Sequence, residues 1–231
     1  MDEAFYLEVK MFSRIFESKF FVVMGKILDV VVLSILWCVT SLPLFTIGVS
    51  TVALYYTIHK CVFQDRDYCI TTYFKALKDN FKQSTLTWLI MLAAGIFMAF
   101  DIYFCKQLMD TQQIFRYLLI LFVILSCDIL IWAIYTLLYI ARFTNGFKEC
   151  LKIGAALAVL NFASSIVLLL TTGVFALLAY LVPGTIMFIP GLFLVAIHPM
   201  MEKIFRKVMT EEDQEIEDAR NGVYHPNKKE D

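Results

Sequence analysis

The chain has 231 residues, 60% of them apolar and 18% charged, with a mean hydropathy of +0.72. Soluble domains run at about 45–50% apolar and about 25% charged, so an ordinary soluble enzyme is excluded, and at roughly 20 residues per spanning helix there is room for six or seven crossings at most. The net charge of −1, from 20 basic and 21 acidic residues, supplies no global field that would hold nucleic acid.

In chain order, 19 mixed residues, including Asp2, Glu3 and Glu8, precede the first long apolar run. No small-residue cleavage site follows it, so the first helix is expected to stay as a signal anchor. Phe5, Val9, Phe12 and Phe16 recur at helical spacing and suggest an interfacial helix over 4–19. The first span is Ile27 to Leu42, with Lys26 and Asp29 snorkelling if it starts earlier. Pro43 breaks it, and Thr46, Ile47 and Gly48 make a tight reversal into a run from Gly48 to Phe63. That run is about 24 Å long, short for a core of roughly 30 Å, so it is either a full crossing or a re-entrant hairpin.

Between Thr71 and Gln83, Phe74, Leu77 and Phe81 recur at spacings of three and four beside a stripe of Lys75, Lys78 and Lys82. The pattern predicts an amphipathic helix over 71–83, lying along the membrane surface or docking a partner. Further apolar runs are Thr85 to Phe104, Tyr117 to Ala141, Ile153 to Leu170 and Val174 to Ile197, the last two parted only by Thr171, Thr172 and Gly173. Pro183, Gly184, Pro190 and Gly191 break the last run, as a kink healed by neighbours or as a turn in its own right.

With six crossings, 17 Lys and Arg fall on one side of the membrane and two, Lys106 and Arg116, on the other. The positive-inside rule therefore favours an all-α, six-helix membrane protein with both termini cytoplasmic. Residues 1–205 are read as one transmembrane domain and 206–231 as a charged cytoplasmic tail, with six acids between Glu211 and Asp218.

Few residues remain for chemistry. Asp128 and Asn161 lie near mid-depth of consecutive spans, where a polar group normally faces the bundle interior. Trp132, Tyr135 and Tyr139 continue the Asp128 face, and Gly154, Ala158, Ser164 and Ser165 give Asn161 a close-packing stripe, so the two are expected to pair. Asp101 is too near its helix end to form a carboxylate dyad with Asp128. Motifs of metalloproteases, nucleophile-elbow hydrolases and P-loop ATPases are missing. Six scattered cysteines make no C-x-x-C pair, and His59, His198 and His225 read as too dispersed for a metal cluster. No catalytic residue, cofactor or metal centre is expected.

One string carries a resemblance: Leu33-Ser34-Ile35-Leu36-Trp37, Ser41-Leu42-Pro43, Thr46-Ile47-Gly48 and Ala53-Leu54-Tyr55-Tyr56. It continues in Tyr73-Phe74-Lys75-Ala76-Leu77, Asn80-Phe81-Lys82-Gln83 and Trp88, and more weakly from Pro190-Gly191 to His198-Pro199. This is similar to the signature of the YesL-type family of bacterial integral membrane proteins of undefined function. Ser34 and Val49 depart from it, standing where that pattern has asparagine and proline. The resemblance implies a multi-pass protein of a Gram-positive plasma membrane, often encoded beside carbohydrate-uptake genes. The expected function is a non-enzymatic accessory or scaffold protein whose partners are the bilayer and a membrane transport complex, with no nucleic acid. The alternative is a small transporter or channel that uses Asp128 and the broken last helix.

Overall fold

The computed structural model describes residues 19–64, 68–109, 112–211 and 214–215, and among them it is helical with no strand. The interfacial helix expected over 4–19, nearly all of the tail and His225 lie outside the described residues. Helix α1 is Lys19–Thr40, and a 3₁₀ turn at Leu44–Thr46 leads to α2, Ile47–Thr57, which continues as a π-helical turn at Ile58–Phe63. Then follow α3, Cys69–Asp79; α4, Phe81–Leu108; α5, Gln113–Arg142; α6, Phe147–Leu160; and α7, Phe162–Leu181. A 3₁₀ turn at Pro183–Met187 precedes α8, Ile189–Arg206.

The core forms around α2, which has almost no exposed face: Val49, Val52, Ala53, Leu54 and Tyr55 are fully buried. A helix apolar on every side buries itself among others or in lipid, and here α1, α3, α4, α5 and α8 cover it. On α5 burial begins only at Ile131 and runs to Ala141. The first half of α5 and the second half of α4 pack on each other and leave Phe97, Phe100, Phe104, Tyr117, Ile120 and Ile124 exposed.

Four helices are long and apolar enough to cross a membrane: Phe21–Thr40, Phe81–Leu108, Gln113–Arg142 and Phe162–Leu181. Six full crossings with the sequence-read bounds do not fit the contact between Trp88 and the Pro43 turn. Trp88 Nε1 donates to the Leu44 carbonyl at 2.8 Å, although Trp88 is within one turn of the inner end of its expected span and Pro43 was placed at the outer face. From Trp88 to Leu108, α4 runs on for about 30 Å beyond that contact. Charge counting assigns loops to sides; it says nothing of how deep a hairpin reaches.

The last two expected spans also shift. Helix α7 runs unbroken through Thr171, Thr172 and Gly173, because Thr171 Oγ1 and Thr172 Oγ1 bond back to the carbonyls of Val167 and Leu168 at 2.8 and 2.7 Å. The breaks fall instead at Asn161, whose Nδ2 donates to the Leu157 carbonyl at 3.1 Å, and at Val182, held extended before Pro183. Of the two readings of Pro183 and Gly184, a healed kink or a turn in its own right, the structure has the turn. Pro190 sits in the first turn of α8, where its missing N–H costs nothing.

Gly48 and Gly191 do not serve as breaks. A Cβ on Gly48 would overlap Trp88, and one on Gly191 would overlap Ser34 and meet the Val30 carbonyl at 3.0 Å. Each lets two helices touch through backbone. Thr46 does close the Pro43 turn, donating from Oγ1 to the carbonyls of Thr40 and Pro43, each at 2.6 Å.

These contacts set a comparison between glycines. Gly191→Ala and Gly48→Ala should each lower stability in detergent by about 1–3 kcal/mol through overpacking. Gly173→Ala, with nothing within 4 Å of its added methyl, should be neutral or stabilising by up to about 1 kcal/mol. Thermal melts of the three variants check the order.

Candidate functional site

Where the C-terminal ends of α2, α5 and α8 meet, the chain places its densest polar cluster. Glu202, one turn after His198 on α8, is the hub. Its Oε1 accepts from the Tyr55 hydroxyl at 2.8 Å and its Oε2 from Arg142 Nη2 at 3.0 Å. His59 Nδ1 stands 3.4 Å and His198 Nε2 3.9 Å from Oε1. The two imidazoles are themselves bonded, Nδ1 of His59 to Nε2 of His198, at 2.9 Å. Side chains of His59, His198, Arg142 and Glu202 are between 7% and 15% exposed, which places the ion pair in a setting where losing one partner is costly.

Local structure aims each group. The π-helical turn at Ile58–Phe63 closes i→i+5 bonds, a geometry that recurs at functional sites, and it brings Gln64 Nε2 to 2.8 Å from His59 Nε2. Phe63, on the same turn, stacks on His198 with ring centroids 3.8 Å apart. The i,i+4 spacing on α8 puts His198 and Glu202 on one face. Arg142 is delivered by the last turn of α5, whose Tyr139 packs edge-on against Phe205.

His59 and His198, read from the sequence as dispersed, thus meet across 139 residues of chain. Together with Glu202 they are a possible metal-ligating group, their donor atoms all within 4.8 Å of one another. The sequence signal that could have found the group is the carboxylate four residues after His198, which shares its helix face.

The expected pair of Asp128 and Asn161 does not form. Asp128 is exposed on the part of α5 that precedes the core. Asn161 ends α6 and spends its amide on that helix's own carbonyl. The Asp128 face turns inward only from Trp132, whose Nε1 donates to the Leu151 carbonyl at 3.0 Å.

The helix expected over 71–83 ends at Asp79, capped by Asn80 Nδ2 on the Ala76 carbonyl at 3.0 Å. Its buried stripe is Thr72, Tyr73 and Ala76, with Leu77 partly buried beside them. The Tyr73 hydroxyl lies 2.6 Å from Thr40 Oγ1. Phe74, Phe81, Lys75, Lys78 and Lys82 are exposed, so most of the expected docking stripe faces outward. Cys69, at the start of α3, has its thiol pushed up to about 12 by burial, then by Cys61 and Asp29. That thiol stays protonated and is a poor nucleophile.

Residues 30–102, about a third of the chain, match a family described as "Protein of unknown function, DUF624". The matched stretch runs from the middle of α1 into α4 and holds the Pro43 turn, Tyr55 and His59; Arg142, His198 and Glu202 lie beyond it. No curated protein and no solved structure matches the chain.

The polar cluster should be stability-critical. Arg142→Met, which leaves Glu202 without its bidentate-capable partner, should cost about 3–5 kcal/mol. Adding Glu202→Gln should recover part of that loss, because the uncompensated carboxylate is removed. A double-mutant cycle on denaturation midpoints checks this, and strictly additive losses would mean that the pair is not coupled. Asp128→Asn should change stability by less than about 0.5 kcal/mol.

Proposed function

We propose that this chain is a non-enzymatic, multi-pass accessory or scaffold protein of a bacterial plasma membrane. The observation that carries the reading is the α4–α5 hairpin, whose distal half projects beyond the packed core and offers a mainly apolar surface, with Lys106, Gln107, Gln112, Gln113 and Arg116 gathered at its tip and Asp128, among the described residues, the one acid exposed along its length. Such a surface is stable in lipid or against another membrane protein. In this reading the basic segments and both termini are cytoplasmic, α4 and α5 cross fully, and α1–α2 is a shorter hairpin whose Pro43 turn reaches only the depth of Trp88. The polar cluster then lies toward the cytoplasmic end.

The partner surface is the outward stripe of α3 and early α4, Phe74 and Phe81 beside Lys75, Lys78 and Lys82. Association with a carbohydrate transport system, and membership of the YesL-type family, rest on the sequence resemblance quoted above. The transporter alternative is less favoured, since Asp128 is exposed on the projecting hairpin and no partner from the broken last helix reaches it among the described residues.

Two experiments test the reading. In a cysteine-free background in intact cells, a membrane-impermeant maleimide should label Gln112→Cys and leave Phe45→Cys unlabelled; equal labelling of both would restore a full α1–α2 crossing. Photocrosslinkers at Phe74 and Phe81 should capture a transport component during growth on the relevant sugar. Crosslinks to lipid alone would remove the scaffold role.

A further inference from the structure

We propose that His59, His198 and Glu202 form a binding site for one divalent transition-metal cation, with zinc the ion that their chemistry fits best. The inference stands on the geometry of the cluster and does not depend on the scaffold reading. Three atoms able to ligate a metal converge: His59 Nδ1, His198 Nε2 and Glu202 Oε1, separated by 2.9, 3.4 and 3.9 Å; as in other histidine sites, an ion takes the place of the proton on the ligating nitrogen. Donors held at about 2.0–2.1 Å from a tetrahedral zinc ion stand roughly 3.3 Å apart, and the three separations bracket that value. Closing on an ion therefore needs side-chain shifts of only a few tenths of an ångström.

The cluster's chemistry points the same way. His59 Nδ1 faces both His198 Nε2 and Glu202 Oε1, and a dication in that position engages all three atoms. Two imidazoles and a carboxylate are borderline donors, matched to zinc and its neighbours and poorly matched to magnesium or calcium, which take oxygen.

The surrounding groups do what outer partners of metal ligands do. Gln64 Nε2 donates to the remote Nε2 of His59 at 2.8 Å; with an ion on Nδ1 that remote nitrogen carries the proton instead, and a half-turn of the Gln64 amide presents Oε1 to accept it. The Tyr55 hydroxyl and Arg142 hold the carboxylate from two sides, with Arg142 on Oε2 so that Oε1 faces the histidines. Phe63 fixes the plane of His198 by stacking. The ligands come from α2 and α8, so a bound ion ties two helices that are distant in sequence.

The test uses full-length protein in detergent, with any histidine tag removed, stripped with chelator and then equilibrated against buffered zinc. Elemental analysis should find about one zinc per chain, and affinity should fall more than about tenfold in His59→Ala, His198→Ala and the outer-partner variant Gln64→Ala. Cobalt in place of zinc should give the visible bands of a low-symmetry nitrogen and oxygen site, without a thiolate charge-transfer band. Zinc should also raise the melting temperature of the wild-type chain in a concentration-dependent way. The proposal is overturned by sub-stoichiometric zinc in the folded wild type, by binding unchanged in the three variants, or by a thiolate band. Should the histidine variants fail to fold, the wild-type cobalt spectrum and the Gln64→Ala affinity still decide it.

Discussion

The arrangement depends on one constraint: α2 is buried on nearly all sides, so its polar groups have to find partners inside the protein, and Ser50 Oγ is the one buried hydroxyl on it left without a hydrogen bond. Thr51 Oγ1 and Thr57 Oγ1 return to the carbonyls of Ile47 and Ala53, and Trp37 Nε1 donates to Thr51. What cannot be satisfied locally is exported to the two ends. At one end Trp88 covers the Leu44 carbonyl and Tyr73 meets Thr40. At the other, Tyr55 and His59 project into the Glu202 cluster. The central helix thus determines where polar chemistry can exist at all.

Close backbone approach then determines which helices reach those ends. Ser34 is fully buried on α1, bonds back to the Val30 carbonyl at 2.7 Å and accepts from the Gly191 N–H at 3.1 Å. That N–H belongs to the first turn of α8, where helix donors have no intrahelical partner. A serine and a glycine therefore seat α8 against α1, and the helix runs from there along α2 to deliver His198 and Glu202. Pro199 lies within α8 beside His198, the residue that stacks on Phe63, and has no N–H to give to the Val195 carbonyl one turn earlier.

The helices were legible in the sequence because apolar runs bounded by Pro, Gly and Asn carry their own stop signals, and Pro43 and Pro183 act as such. The break at Asn161 and the unbroken helix through Thr171–Gly173 were not, since a mid-run asparagine and a threonine pair have no fixed effect on a helix. Their outcome follows from which carbonyl each side chain finds. Depth was also hidden. A run such as Gly48 to Phe63 reads alike as a short crossing or as a re-entrant hairpin, and the contact of Trp88 with Leu44, which bears on the difference, joins segments that the run itself does not contain. The polar cluster escaped detection because its members come from three separate segments and each is unremarkable alone. Asp128 and Asn161, prominent because they interrupt apolar runs, turned out to lie at a core edge and a helix end.

The composition that first marked the chain as a membrane protein divides spatially. The exposed apolar surface lies on α1, on the distal α4–α5 hairpin and on α7, whose Leu170, Val174 and Leu177 are exposed, whereas the imidazoles and the ion pair gather at the C-terminal end of α2. A chain using its apolar residues only to fill a core would bury them; one using them only to span lipid would not need a fully packed central helix with a charged knot at its base. Both features together mean that the membrane-facing hairpin and the polar knot are joined through α5, which is lipid-like up to Leu130 and core from Ile131 to Arg142. The cluster and the projecting surface thus share one continuous helix, Gln113–Arg142, with Arg142 at its end in the cluster.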